Sequence, residues 1–181
     1  MCTASWFITN QQLQLTFNRD EKKTRSDALP PQLRVIDGIK TLQPTDPDAG
    51  GTWMSVNEAG IIVCLLNNYR DTSSTTPITT PTSTPWTSRG KLVQQLATLT
   101  SHQAIDAELA RQTLSQYQPF HLIILSLEQQ MLFNWNGKQL TEGIAPAFLT
   151  SSGFDTTGVL AGRAQQFIAS NIDSTQAALA F

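Results

Sequence analysis

Apolar and polar residues alternate near the start of the chain, which is the pattern of a strand with one buried face. Residues 13–17 read Leu-Gln-Leu-Thr-Phe, and residues 3–8 are the expected partner strand across a polar turn at 9–11. A polar, Pro-rich stretch at 22–47 follows, for which no element is predicted. Residues 52–56 and 61–66 then predict two strands joined by a turn, and the second is apolar throughout and short enough to be a buried strand.

The second half of the chain predicts two helices, further strands and a last helix. Ser88 is the expected cap of the first helix, and Thr100 with Gln103 has capping-box spacing for a second helix reaching about Tyr117. Strands are predicted at 120–127, 131–135 and, from a weaker pattern, 143–149. The apolar positions of the helices are Leu92, Val93, Leu96 and Leu99 in the first, and Leu160, Ala164, Phe167 and Ile168 in the last.

This order of elements predicts an α+β protein of packed layers with largely antiparallel sheet, because strands and helices do not alternate. We expect one domain over residues 1–181, with a Ser/Thr/Pro-rich loop at 72–87 and a small polar tail at 174–181.

Composition narrows the function classes. The chain has 181 residues, 40% of them hydrophobic, with a net charge of −2 and no basic patch, so it should fold and nucleic acid is not an expected partner. Two cysteines and two histidines lack disulfide or metal-site spacing, and no metal or cofactor is expected. No signal peptide or membrane-length apolar run is visible, so the expected location is the cytoplasm, where Cys2 stays a reduced thiol.

Cys2 carries the most distinctive chemistry. Removal of Met1 would leave a residue with both a thiol and a free α-amine, whose pKa values of about 8.5 and about 8 lie close to neutral pH. The amine can then take the thiol proton, so a separate histidine is not needed. The alternative is that Cys2 is simply a small second residue, and the mechanism fails if Met1 is retained.

Polar residues that follow two predicted strands are the candidates to support this thiol. Arg19 would hold a thiolate or orient a substrate, and Asp20 would accept a hydrogen bond from the α-amine. Asn67 and Asn68 end an apolar strand and can supply an oxyanion donor. Taken singly, each group is more typical of a solvated turn than of a functional site.

The order of these groups along the chain resembles the NRDE family, which includes the protein called transport and Golgi organization 2. The matching blocks are Met-Cys at 1–2, Asn-Arg-Asp-Glu at 18–21, Asp-Ala-Gly-Gly-Thr-Trp at 48–53, Asn-Tyr-Arg-Asp at 68–71 and Ser-Arg-Gly-Lys-Leu-Val at 88–93. The similarity is strong over residues 1–93 and continues weakly to about residue 170. It favours a functional role for Cys2 and for residues 18–21.

The family in turn resembles N-terminal-nucleophile (Ntn) hydrolases of the penicillin V acylase and bile salt hydrolase type. That resemblance implies a four-layer αββα sandwich in which Cys2 is nucleophile and, through its amine, base. It also implies supporting roles for the residues around Cys2. Those roles are Arg19 beside the thiol, Asp20 or its rival Glu21 at the amine, Asn68 in preference to Asn67 at the oxyanion, and binding positions at Asn18, Gly51, Trp53 and Ser151.

Two positions depart from the acylase pattern. Lys22 stands where the acylases have an aspartate, and Ser151 stands where they have a second asparagine. The family's C-terminal strands also have no counterpart here, which implies a reduced member or a sheet edge covered by a partner chain, as in a homo-oligomer.

The resemblance implies hydrolysis of the C–N bond of a small-molecule linear amide. The alternative is a non-catalytic binding or trafficking protein for haem or a lipid-like apolar ligand, in a pocket lined by Trp6, Phe17 and Trp53. A third interpretation is an interaction module without a ligand.

Overall fold

The computed structural model describes residues 2–69, 86–153 and 156–170. Met1, most of the predicted loop at 72–87 and the predicted tail lie outside these ranges. The first half contains β1 (Cys2–Thr9), β2 (Gln12–Arg19), β3 (Leu29–Ile36), β4 (Ile39–Thr45), β5 (Met54–Asn57) and β6 (Ile62–Asn67). The second half contains α1 (Arg89–Leu96), α2 (His102–Arg111), β7 (Phe120–Leu125), β8 (Gln130–Trp135), β9 (Leu140–Ile144), β10 (Phe148–Ser151) and α3 (Thr156–Ser170).

The strands form two antiparallel sheets of unequal size. The large sheet is a meander in which β3 to β9 follow one another in sequence order. The small sheet has the order β10-β1-β2, so its central strand is the first strand of the chain.

The β1–β2 hairpin turns at Asn10 and Gln11, whose φ angles of 48° and 58° are the left-handed values that a tight two-residue turn requires. This turn sets the register in which Cys2 lies opposite Arg19. Because side chains alternate along a strand, the register also sets which residues share a face with Cys2.

The sheets and helices form four layers. Helices α1 and α2 cover one face of the large sheet, where Leu92, Val93 and Ile105 are fully buried. The opposite face packs on the small sheet through Ala4 and Trp6. On the outer face of the small sheet lies α3, and its Phe167 ring stacks on Phe148 with the ring centroids 4.8 Å apart. No helix in the described ranges is both long and apolar enough to cross a membrane.

Several element boundaries differ from the sequence-based predictions. The stretch at 22–47 contains the β3–β4 hairpin, for which no element was predicted. The weak strand predicted at 143–149 is divided between β9 in the large sheet and β10 in the small sheet. The second helix ends at Arg111 instead of Tyr117, and its cap is Ser101, whose hydroxyl accepts from the Ala104 amide at 3.2 Å.

Candidate active site

Cys2 lies at the first position of the central strand of the small sheet, between Arg19 of β2 and Ser151 of β10. Its side chain is on the inner face, where it packs against the core between the two sheets. The thiol also lines a cavity of about 340 Å³ that is bounded by the two sheets and the first turn of α1. A partly buried thiol beside a cavity can meet a small molecule.

Arg19 is held in this cavity by contacts on several sides. Its guanidinium lies 2.9 Å from Glu21 and 3.8 Å from Asp46, and its Cζ is 3.9 Å from the centre of the Trp53 ring. An arginine stacked on an aromatic ring and paired with carboxylates has little freedom to turn away. The predicted neighbours Cys2, Arg19 and Trp53 are therefore brought together.

Asp20 lies on the other face of the small sheet. Its carboxylate accepts from Arg163 of α3 at 2.9 Å, and Arg163 also donates to Thr3 at 2.6 Å and to Thr150 at 3.0 Å. Asn18 shares that face and, with Asp20, borders a separate surface cavity. Glu21, two residues beyond Arg19, is the carboxylate of the 18–21 run that lines the Cys2 cavity.

The two candidate oxyanion asparagines are also separated. Asn67, the last residue of β6, lines the Cys2 cavity and donates from Nδ2 to the Tyr69 hydroxyl at 2.7 Å. Asn68 is only 3% exposed, and its Nδ2 donates to Asn134 Oδ1 at 2.9 Å. The cavity is thus reached by Asn67, whereas the side-chain amide of Asn68 is engaged in the large sheet.

The remaining predicted binding positions surround the thiol in different ways. Ser151 is buried opposite Cys2, and its hydroxyl has no hydrogen-bond partner among the residues that the structure describes. Gly51 lines the cavity and touches the backbone of Gly90, where an added Cβ would lie 2.8 Å from a backbone carbon. This close approach brings the first turn of α1 against the cavity.

Three charged cavity residues were missed by the sequence reasoning: Arg25, Asp46 and Arg89. Arg25 forms ion pairs with Asp46 and, at 3.5 Å, with Glu21. Arg89 donates to the Pro119 carbonyl at 2.9 Å. Arg89 belongs to the matching sequence block at 88–93 and directly follows Ser88, the expected cap of the first helix. This position was the available signal that Arg89 could belong to the site.

Burial and the nearby positive charges act in opposite directions on the pKa of the Cys2 thiol. Burial raises the pKa of Cys2 above its ordinary value, and Glu21 and Asp20 raise it further, whereas the amino terminus and Arg19 lower it. Burial lowers the pKa of Arg89, while the nearby Tyr69, Cys2 and Glu21 raise it. A negative charge on Cys2 would therefore be felt by both arginines.

The other thiol is unlike Cys2. Cys64 is fully buried, and burial strongly raises the pKa of its thiol. Across the described part of the chain, no group of three histidine, cysteine or acidic residues is arranged to hold a metal ion.

The chain is similar to known proteins both in sequence and in fold. Residues 1–170 match the family model described as Transport and Golgi organisation 2. No curated protein sequence matches the chain. A solved penicillin V acylase from Agrobacterium tumefaciens has a similar fold, with a TM-score of 0.51 at 16% sequence identity.

That similarity covers 91% of this chain and 57% of the acylase chain, so this chain spans little more than half the acylase's length. The predicted family resemblance and the predicted Ntn-hydrolase-like α+β sandwich are both confirmed.

Proposed function

Because the chain belongs to the Transport and Golgi organisation 2 family, we propose that it is an Ntn hydrolase that cleaves linear amides with the thiol of Cys2. One observation carries the proposal. The Cys2 side chain is on the inner face of the first strand, lines a cavity of about 340 Å³, and has Arg19 directly opposite in the register.

The proposed reaction requires removal of Met1, which gives Cys2 a free α-amine. The amine accepts the thiol proton, and the sulfur attacks the carbonyl carbon of the amide. Collapse of the tetrahedral intermediate breaks the C–N bond, and the leaving amine takes its proton from the ammonium group. Water then cleaves the thioester, which releases the acid and restores the thiol.

Glu21 is the carboxylate that we assign to the cavity side of this reaction, in place of Asp20. Support comes from the ion pair between Glu21 and Arg19 at 2.9 Å, whereas Asp20 is paired with Arg163 on the opposite face of the sheet. Glu21 would orient Arg19 and accept from the new α-amine. Asp20 would instead attach α3 to the small sheet.

Asn67 is the proposed oxyanion donor. The negative charge of a tetrahedral intermediate is best stabilised by donors that are already in position. Asn67 lines the cavity and is held by Tyr69. Arg89 is a further cation of the same cavity, and it would attract the developing charge electrostatically.

The cavity lining supports a polar amide better than a haem or lipid-like ligand. Three arginines and two carboxylates line the Cys2 cavity, whereas Trp6 is buried in the core between the sheets. An apolar ligand would have to desolvate these charges without pairing them.

Turnover of an amide panel tests the proposal. The panel contains penicillin V and N-acyl amino acid anilides, and the intact mass first establishes that Met1 is absent. We expect product formation and an acyl adduct on Cys2, both abolished in Cys2→Ala. Cys64→Ala is the matched control, because it removes the buried thiol and should retain turnover. Turnover that survives Cys2→Ala would refute the proposal, as would no product from chain that lacks Met1.

A further inference from the structure

A second cavity lies on the other side of the large sheet, between α1 and the β3–β4 hairpin. Its volume is about 360 Å³, and none of the described residues that line it borders the Cys2 cavity. Arg34 of β3, Gln43 of β4 and Lys91 of α1 are among the residues that line it. Nothing in the proposed amide hydrolysis uses this cavity.

Gln43 is the most informative of these residues. It is 0% exposed, and neither Nε2 nor Oε1 has a hydrogen-bond partner among the described residues. Nearly all buried amides in folded proteins are hydrogen-bonded, because an unpaired buried donor or acceptor is strongly unfavourable. Gln43 therefore presents an unsatisfied donor and acceptor side by side at the wall of the cavity.

Neighbouring residues of the same sheet face repeat this feature. Thr41 precedes Gln43 by two residues in β4, so its side chain is on the same face. Its hydroxyl is buried without a partner among the described residues, as is that of Ser55 in the adjacent β5. The floor under α1 is thus polar in a position where a sheet usually presents apolar side chains to a helix.

The charge of the cavity is positive. Arg34 donates to Thr45 at 3.1 Å, and among the described residues no carboxylate lies within 4.0 Å of Arg34 or Lys91. Among the described residues, the lining contains one acidic residue, Asp37, in the exposed turn between β3 and β4. Two cations without acidic partners favour a negatively charged ligand.

We infer that this second cavity binds a small organic anion in which a carboxylate or phosphate is joined to an amide-like donor–acceptor edge. Arg34 and Lys91 hold the anionic group. Gln43 pairs with the edge, since its own donor and acceptor lie side by side. The site is independent of Cys2 chemistry, so it stands or falls separately from the proposed hydrolysis.

Calorimetric titration of the full chain with N-acetylglycine tests this inference, because that molecule carries a carboxylate and an amide. We expect saturable binding that weakens about tenfold in Lys91→Met and in Gln43→Met, each of which removes one polar contact. Neutral N-acetylglycinamide should bind about tenfold more weakly than the acid. Arg34→Met, at a partly exposed position, repeats the charge test if Gln43→Met fails to fold.

Arg89→Met is the matched control, because it removes a cation from the Cys2 cavity two residues away on the same helix. Binding should be unchanged in this variant. Inorganic phosphate is titrated in parallel, and phosphate binding that is lost in Lys91→Met identifies the phosphate form of the ligand. The inference is overturned if neither probe binds at about 10 mM, where even millimolar affinity would be visible. It is also overturned if Arg89→Met abolishes binding while Lys91→Met does not.

Discussion

Replacing Gly51 by alanine is expected to push α1 away from the loop that it contacts. The new methyl carbon would lie 2.8 Å from the carbonyl carbon of Gly90 and 2.9 Å from its Cα. Carbon atoms in contact normally stay about 3.5 Å apart, so the backbone must move by about 0.7 Å. A backbone atom cannot rotate out of the way as a side chain can, so the whole first turn of the helix has to shift.

The energetic effect combines three contributions. Overpacking is destabilising by about 1–3 kcal/mol. The hydrogen bond from the Thr52 amide to the Gly90 carbonyl, 3.2 Å long, would be stretched beyond range, at about 1 kcal/mol. The lower chain entropy of unfolded alanine relative to glycine offsets about 0.4–1 kcal/mol. We therefore expect Gly51→Ala to lower the free energy of unfolding by about 1–4 kcal/mol.

Equilibrium unfolding in urea measures this change. Gly90→Ala should behave similarly, because its Cβ would lie 2.9 Å from both the nitrogen and the oxygen of Thr52. Gly143→Ala is the matched control, since nothing lies within 4 Å of the position of its Cβ. If Gly51→Ala unfolds at the same urea concentration as the wild type, the close contact between α1 and the loop does not exist in solution.

Three further predictions concern charge and hydrogen bonding. The pKa of Cys2 is raised by burial, so its alkylation by iodoacetamide should reach half-maximal rate above the pH of an ordinary thiol. Arg19→Met should move that profile to higher pH and Glu21→Gln to lower pH, and the opposite order would contradict the assigned charges. Arg163→Met removes three hydrogen bonds between α3 and the small sheet, and urea unfolding should show a loss of about 1–3 kcal/mol. Asn57 of β5 is 5% exposed and joins the end of α1 to the turn before β6, because its Nδ2 donates to the carbonyls of Ala97 and Leu99 and its Oδ1 accepts from the amides of Ala59 and Ile61. Asn57→Ala removes all four bonds, and a loss below about 1 kcal/mol in the same assay would refute this link.

The β1–β2 hairpin could be predicted because apolar and polar residues alternate along β2, and the apolar ones pack on the core from one face. The β3–β4 hairpin was missed although Asp37-Gly38, flanked by alternating apolar residues, is typical of a two-residue hairpin turn. The polar, Pro-rich composition around the hairpin concealed this signal. Its apolar residues Leu33 and Val35 are 69% and 67% exposed, and the face under α1 is polar. Pro30 and Pro31 also argue against a strand, yet β3 is at the edge of the sheet, where proline is tolerated.

In the candidate site, the sequence did not decide which of two neighbouring residues faces the Cys2 cavity. Asp20 and Glu21 are expected on opposite faces of the small sheet, so the choice between them depends on which face each residue of β2 occupies. That assignment depends on the two-residue turn at Asn10 and Gln11, which composition alone does not predict. The charged residues Arg25 and Asp46 were missed because they flank the β3–β4 hairpin, which was not predicted. Only the folded chain brings them to Arg19.

The pairing of β1 with β10 joins residues from nearly opposite ends of the described chain. The large sheet is built from sequential neighbours and can grow by adding one hairpin after another. The small sheet cannot be completed until residues 148–151 have been synthesised, and closing so long a loop is slow relative to local pairing. On the ribosome, β1 therefore emerges well before β10, and β1 keeps an unpaired edge beside Cys2 until residues 148–151 reach it.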